Sequence, residues 1–240
     1  MKHSPVFMLI ILLLIAIPME AQQKNKPQAK AKAHQSANRS NELVVIDERL
    51  SVLRNQPGFA GTPIRRIQTG KSVIFVGFHD INGVRFYRVQ VKPKTFGWLQ
   101  ADAVVTTSIK GDDFRLARLI QASDGFEQLE RIAVFLRLFP RSTVRPAILL
   151  MFGDLLELAA VKLTNDANKR LSDRELYSSG APRHSFFLNF VSLDRYRKLG
   201  ISFVFNSQDR RYHYNGEAWR EIIRQHNDSM EAPEAQSRLD

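Results

Sequence analysis

The chain of 240 residues contains no cysteine. That excludes disulfide cross-links and thiolate metal sites, and it closes the lipid-anchor route that depends on an acylated cysteine. Stability has to come from a hydrophobic core, for which 44% apolar residues are sufficient. No uncharged apolar run reaches the roughly 20 residues needed to cross a bilayer. Catalytic signatures are also missing. None of His3, His34, His79, His184, His213 and His226 has metal-ligand spacing such as H-x-x-x-H with a nearby acid. There is no G-x-S-x-G nucleophile elbow, no G-x-G-x-x-G turn and no Walker phosphate loop. No catalytic residue, metal site or cofactor is therefore expected, and the chain reads as a non-enzyme. Two clusters stand out, His184-Ser185 and Tyr212-His213-Tyr214. Arg211–Tyr214 alternates as one face of a hairpin, which accounts for the second.

What is present begins with an export-type segment. Lys2 and His3 precede the twelve apolar residues Val6–Ile17, then Pro18 and a candidate cut after Ala21. Met19 stands where a small residue is usual, so an uncleaved segment acting as a short membrane anchor is the alternative, and membrane contact is expected only in that case. Residues 22–41 carry Lys24, Lys26, Lys30, Lys32 and Arg39 with no acid. They read as a polar tether, either a solvated spacer or a segment drawn to an anionic surface. The formal net charge is +11; the tether holds +5 of it and residues 1–21 none, which leaves +6 on 42–240. A basic excess so spread, on an exported chain, argues against nucleic acid as a partner.

From Leu50 to Val105 the pattern is one of short strands: LSVLRNQPG, GTPIRRIQTG, KSVIFVGFHDING, VRFYRVQV and FGWLQADAVV. Val84, Phe86, Arg88 and Gln90 fall on one face of the fourth, Arg85, Tyr87, Val89 and Val91 on the other. Asn82-Gly83 is a two-residue hairpin signal. After Ser108 the period lengthens to 3.6. Gly111-Asp112-Asp113 opens a helix carrying Phe114, Ala117 and Ile120. Asp124 and Glu127 suggest a capping box for a second helix, which Pro140 ends. Ser142 is the expected cap of a third, with Ile148, Leu149, Phe152, Leu156 and Leu163 facing a core. Further on, Ser192–Leu199 suits a short helix, Ile201–Asn206 with Arg211–Tyr214 a hairpin, and Glu217–His226 a last amphipathic helix; the tail from Glu231 suits a fraying one.

A faint repeat links two places 87 residues apart. Phe135–Ser142 followed by Pro146, and Ile222–Ser229 followed by Pro233, both read as a helix end, a tight turn closing in Ser, and a second helix. This is similar to degenerate tetratricopeptide-type repeats, a resemblance that implies protein–protein contact. The strand block, in turn, resembles a bacterial SH3-like domain. The matching residues are Leu50–Arg54, Gly61-Thr62-Pro63-Ile64, Phe86-Tyr87-Arg88-Val89 and Gly97-Trp98-Leu99, with Lys92–Thr95 lengthening the loop before the last strand. That family implies a non-catalytic, frequently exported barrel that contacts cell-wall peptides or proteins.

The expected architecture is thus α+β and multidomain: signal 1–21, linker 22–41, small SH3-like β-barrel 42–108, mainly helical repeat-like domain with a short β-hairpin 109–230, and tail 231–240. The expected role is a binding or adaptor protein of the periplasm or cell envelope, with cell-wall peptide, glycan or an envelope protein as partner. The alternatives are a helical domain that forms the functional surface above a structural barrel, and an accessory to an envelope hydrolase. The candidate ligand contacts are Tyr87 and Trp98, because aromatic rings bring large rigid area at low entropy cost, with Arg66 and Arg85 as partners for a carboxylate. Against this, a Trp in a small barrel also serves as half-buried support, and Arg65-Arg66 also suits a solvated strand edge.

Overall fold

Asn82 and Gly83 both adopt positive φ, 51° and 78°. This is the two-residue turn whose twist matches that of the flanking strands. It joins β4 (Ser72–Ile81) to β5 (Val84–Lys92) in a long hairpin. In the computed structural model, which describes residues 41–240, that hairpin is the centre of a seven-stranded antiparallel sheet. The other strands are β1 (Glu42–Val45), β2 (Val52–Arg54), β3 (Pro63–Arg66), β6 (Thr95–Gln100) and β7 (Val104–Val105), in the order β3-β2-β6-β5-β4-β1-β7. The expected signal segment falls outside the described residues, as does the tether apart from Asn41.

Antiparallel pairing of short strands is as the sequence suggests, but a closed barrel is not formed. Among the described residues no pairing joins β3 to β7, so the sheet is open at both edges. It curls around one core that gathers Leu43, Val45, Leu53, Val73, Val89 and Leu99. Gly97 permits the tightest contact there: a Cβ on it would lie 2.6 Å from the Leu53 side chain.

Strand β1 precedes the first strand expected from the sequence, and its burial explains why. Leu43 and Val45 face the sheet core, whereas Val44 and Ile46 face the helices. A strand covered on both sides loses the alternation by which strands are recognised. Its partners are Ser72–Ile74 of β4 and Val104–Val105 of β7.

The helices are α1 (Asp112–Gln121), α2 (Gly125–Leu138) and the 26-residue α3 (Arg145–Arg170), followed by short α4 (Asp173–Ser178), α5 (Arg183–Leu188) and α6 (Asp194–Lys198). The hairpin of β8 (Phe203–Asn206) and β9 (Arg211–Tyr214) comes next, then α7 (Glu217–Gln225) and α8 (Ala232–Leu239). The class is α+β. Two expected caps are differently used. Asp124 makes no side-chain capping bond, and the Glu127 side chain that would complete the capping box accepts from the Arg131 guanidinium instead. Ser142 lies three residues before the start of α3 and donates to Asp113 Oδ2 at 2.7 Å, tying that turn to α1.

The 87-residue repeat has a physical counterpart. The N–H groups of Phe139, Ser142, Arg145 and Ile148 donate to the carbonyls of Phe135, Phe139, Ser142 and Val144. Those of His226, Ser229, Ala232 and Ala235 donate to Ile222, His226, Ser229 and Glu231. Every donor and acceptor is displaced by the same 87 positions, and Phe135 and Ile222 are both fully buried. The α2–α3 and α7–α8 junctions are therefore the same turn built twice.

Buried arginines join the layers. Arg131, 2% exposed, donates from Nε to the Ile46 carbonyl at 2.9 Å, from one terminal nitrogen to Ser123 Oγ at 2.7 Å, and from the other to Glu127. Arg145 does the same among α2, α3 and α7, donating to the Leu136 carbonyl at 2.8 Å and to Glu221 Oε1 at 2.6 Å. Truncating a buried, fully bonded charge leaves its partners unsatisfied. Arg131→Met is expected to lower unfolding stability by about 3 kcal/mol in urea titrations followed by circular dichroism; a change below about 1 kcal/mol would contradict the role given to this side chain.

Helix α7 packs so closely on α3 that a Cβ on Gly153 would sit 2.2 Å from Trp219 Nε1. Gly153→Ala, ordinarily favourable within a helix, is expected here to destabilise by roughly 1–3 kcal/mol through overpacking, measured as a lowered Tm.

Candidate binding surface

Cross-strand register decides which side chains share a face. Arg88 of β5 and Arg54 of β2 both lie opposite Trp98 of β6, so the tryptophan has an arginine as its cross-strand neighbour on either side. His79 of β4 meets the Trp98 ring edge to face, with centroids 6.3 Å apart. Phe86, on the same face of β5 as Arg88, is covered by Phe59 at 5.5 Å.

The loop between β2 and β3 brings Phe59 there. Arg54 holds it through bonds to the carbonyls of Gly61 at 2.8 Å and Phe59 at 3.3 Å. Gly61 is required by space, since a Cβ would come 2.5 Å from the Gln56 carbonyl oxygen. Phe96 completes the surface, with the Arg88 guanidinium 5.9 Å from its ring centre. Phe59 and Phe96 are 62% and 45% exposed, and Trp98 is half-buried. The result is an exposed patch of aromatic rings interleaved with arginine.

The four residues singled out from the sequence do not converge. Tyr87 lies opposite Leu99, on the inner face of the sheet, and Trp98 is on the outer face. Tyr87 packs edge to face on Phe75 at 5.2 Å and borders a separate cavity of about 130 Å³ with Asp102, Asp112 and Arg115; burial pushes its phenol up from the ordinary value. Arg85 lies at the far end of the hairpin, in a two-pronged pair with Asp80 at 2.8 and 2.9 Å and 4.7 Å from the Phe78 ring centre. Arg66, on edge strand β3, is bonded to the backbone carbonyls of Glu48 and Arg49. Only Trp98 belongs to the aromatic patch. Arg54, Phe59, Arg88 and Phe96 complete it, and no strand read alone signals them, because they come from three strands and a loop.

The histidine clusters give a different picture. His213 Nδ1 stands 3.4 Å from Glu157 Oε1, with both side chains about half exposed. The other Glu157 oxygen accepts the Tyr214 backbone N–H at 2.9 Å, so the carboxylate pins the hairpin to α3. Among the described residues no group of three or more His, Asp or Glu could hold a metal ion, and no helix is long and apolar enough to cross a membrane. Comparison with protein-family models, with curated proteins and with solved structures finds no match for this chain.

Beside that hairpin, Tyr212 is 2% exposed and its hydroxyl donates to the Phe187 carbonyl at 2.5 Å. Burial pushes the phenol up to about 12 from 10.0. The fold favours the neutral form, so the contribution is complete below pH 10 and is lost as pH rises towards 12. Alkaline unfolding followed by circular dichroism is expected in that window, and Tyr212→Phe is expected to flatten the pH slope while lowering stability at neutral pH.

Proposed function

We propose that the chain is an exported, non-catalytic binding or adaptor protein of the bacterial cell envelope, whose sheet is an SH3-like module and whose helices form a tetratricopeptide-like interaction scaffold. The observation that carries the binding role is the Trp98 patch. Exposed aromatic rings flanked by Arg54 and Arg88 are the residue types that dominate binding energy at interfaces. Stacking on the rings and paired N–H donors from the guanidinium groups suit a peptide carrying carboxylates, the chemistry of a cell-wall stem peptide or of an acidic protein segment.

Several features support the finer reading of the fold. The strands follow a meander through β4, β5 and β6, a short loop-bearing hairpin folds over one face, and one core serves all but an edge strand. The duplicated turn at Ser142 and Ser229 supports a helical region grown by repetition, as in stacked helical scaffolds. The export assignment rests on Lys2, Val6–Ile17 and Ala21. A role as accessory to an envelope hydrolase needs the same patch, with the enzyme as partner.

Purified cell-wall sacculi and a synthetic stem peptide test the proposal. Wild-type protein should be retained, and Trp98→Ala should weaken retention by roughly 30-fold, the loss of about 2 kcal/mol that marks a hot-spot aromatic. Tyr87→Phe and Arg85→Ala should behave as wild type. If wild-type protein is not retained, or Trp98→Ala is retained equally, the cell-wall reading of this patch fails.

A further inference from the structure

Two cavities adjoin along α2, and none of the Trp98 patch residues lines either of them. One, of about 520 Å³, is bounded by the turn Gln68–Lys71, by Glu130 and Arg137 of α2, and by Lys198 at the end of α6. The other, of about 270 Å³, has Leu136, Phe152, Leu199, Ile201 and Tyr214 among its walls. Ala133 and Leu199 border both, so the two cavities adjoin at a small residue and together make up a two-part cleft.

The ends of this cleft differ in character. At the wide end Lys71 and Lys198 have no ion-pair partner among the described residues, and Arg137 makes a single long bond, 3.3 Å to the Gly70 carbonyl. Glu130 is the one acid in the lining, and its carboxyl is pushed up by burial and by Glu48 and Glu127, which lie near it outside the lining. At the narrow end the charges are already neutralised: Glu217 is bonded to Arg220 and Arg224, and Glu221 to Arg145. Apart from Ser202 and Asn215, the remaining wall is aliphatic or aromatic. A cationic mouth therefore opens into a hydrophobic pocket.

We infer that this cleft is a second docking site, which takes an extended acidic peptide with a carboxylate at Lys71, Arg137 and Lys198 and a bulky apolar side chain in the pocket beside Leu136, Phe152 and Ile201. The inference rests on the adaptor reading above but uses a different surface. Charge complementarity selects the occupant. The chain's own segment 22–41, at +5 with no acid, is repelled by such a mouth. A single-stranded nucleic acid needs a longer track of cations with aromatic platforms between them, whereas here three cations and one acid line a mouth that adjoins a largely apolar pocket.

The test uses the full chain and three fluorescein-labelled hexapeptides, read by fluorescence anisotropy. The first alternates Glu with Leu and Phe; the second replaces Glu by Lys; the third replaces Leu and Phe by Ser. The first peptide should bind, and the other two at least tenfold more weakly. The exposed double reversal Lys71→Glu/Lys198→Glu should weaken the first peptide at least tenfold, and Glu130→Gln should tighten it several-fold. Ala133→Trp, which fills the junction of the two parts, should abolish binding at an unchanged Tm; if it unfolds the protein, the surface reversal decides. Trp98→Ala should leave this binding unchanged, which separates failure here from failure of the cell-wall proposal. Absence of binding by the first peptide, equal binding by the double reversal, or loss of binding in Trp98→Ala instead would overturn the inference. So would tighter binding of a labelled oligothymidylate that the reversal abolishes.

Discussion

The guanidinium of Arg131 is the contact on which the rest of the structure depends. Fully buried charges are tolerated only when every donor has a partner. This one is bonded to the end of β1 through the Ile46 carbonyl, to the end of α1 through Ser123, and to its own helix through Glu127. Asp47 adds a carboxylate 3.9 Å away, held well below the usual range by its bonds with Arg49. Sheet and helices are thereby fixed in one arrangement, since sliding α2 along β1 would leave several buried polar groups without partners.

With that junction set, β1 becomes a wall shared by two cores. Its odd residues complete the sheet core and its even residues complete the cluster built on Leu116, Ile120, Ile132 and Phe135. The helical part then grows from α3, whose length lets it meet α2, α7 and β9. Gly153 and Trp219 set the closest approach in that layer. The turn at Ser142 recurs at Ser229 with identical backbone bonding, so the second helical pair repeats a solution already used by the first.

Both candidate surfaces follow from this arrangement. The outer face of the sheet is left uncovered by the helices and is partly roofed by the Phe59 loop, which leaves rings and guanidinium groups exposed together. The cleft along α2 arises because the Gln68–Lys71 turn and the end of α6 both approach the helix at Ala133, a residue too small to fill the space between them. One surface is aromatic and cationic, and the other combines a cationic mouth with a largely apolar interior.

Much of the element structure was legible in the sequence by itself. The Asn82-Gly83 turn, the alternation of Val84–Val91, the helices from Asp112 and Glu217 and the hairpin at Arg211–Tyr214 are local matters of period and turn chemistry, and a single chain carries them without reference to anything distant. Strand β1 was not legible, because burial on both faces removes the alternation. The expected caps at Asp124 and Ser142 misled for a related reason: Glu127 and Ser142 find partners in Arg131 and Asp113, which are better placed in three dimensions than the local backbone. Alternation within β5 separates Phe86 and Arg88 from Tyr87, yet it is silent on the neighbouring strand. Only cross-strand register sets Trp98 beside Arg54 and Arg88 and puts Tyr87 on the opposite face. A residue's local surroundings follow from its own segment, whereas membership of a site depends on which segments pair and in which register, and that is decided by packing of the whole chain.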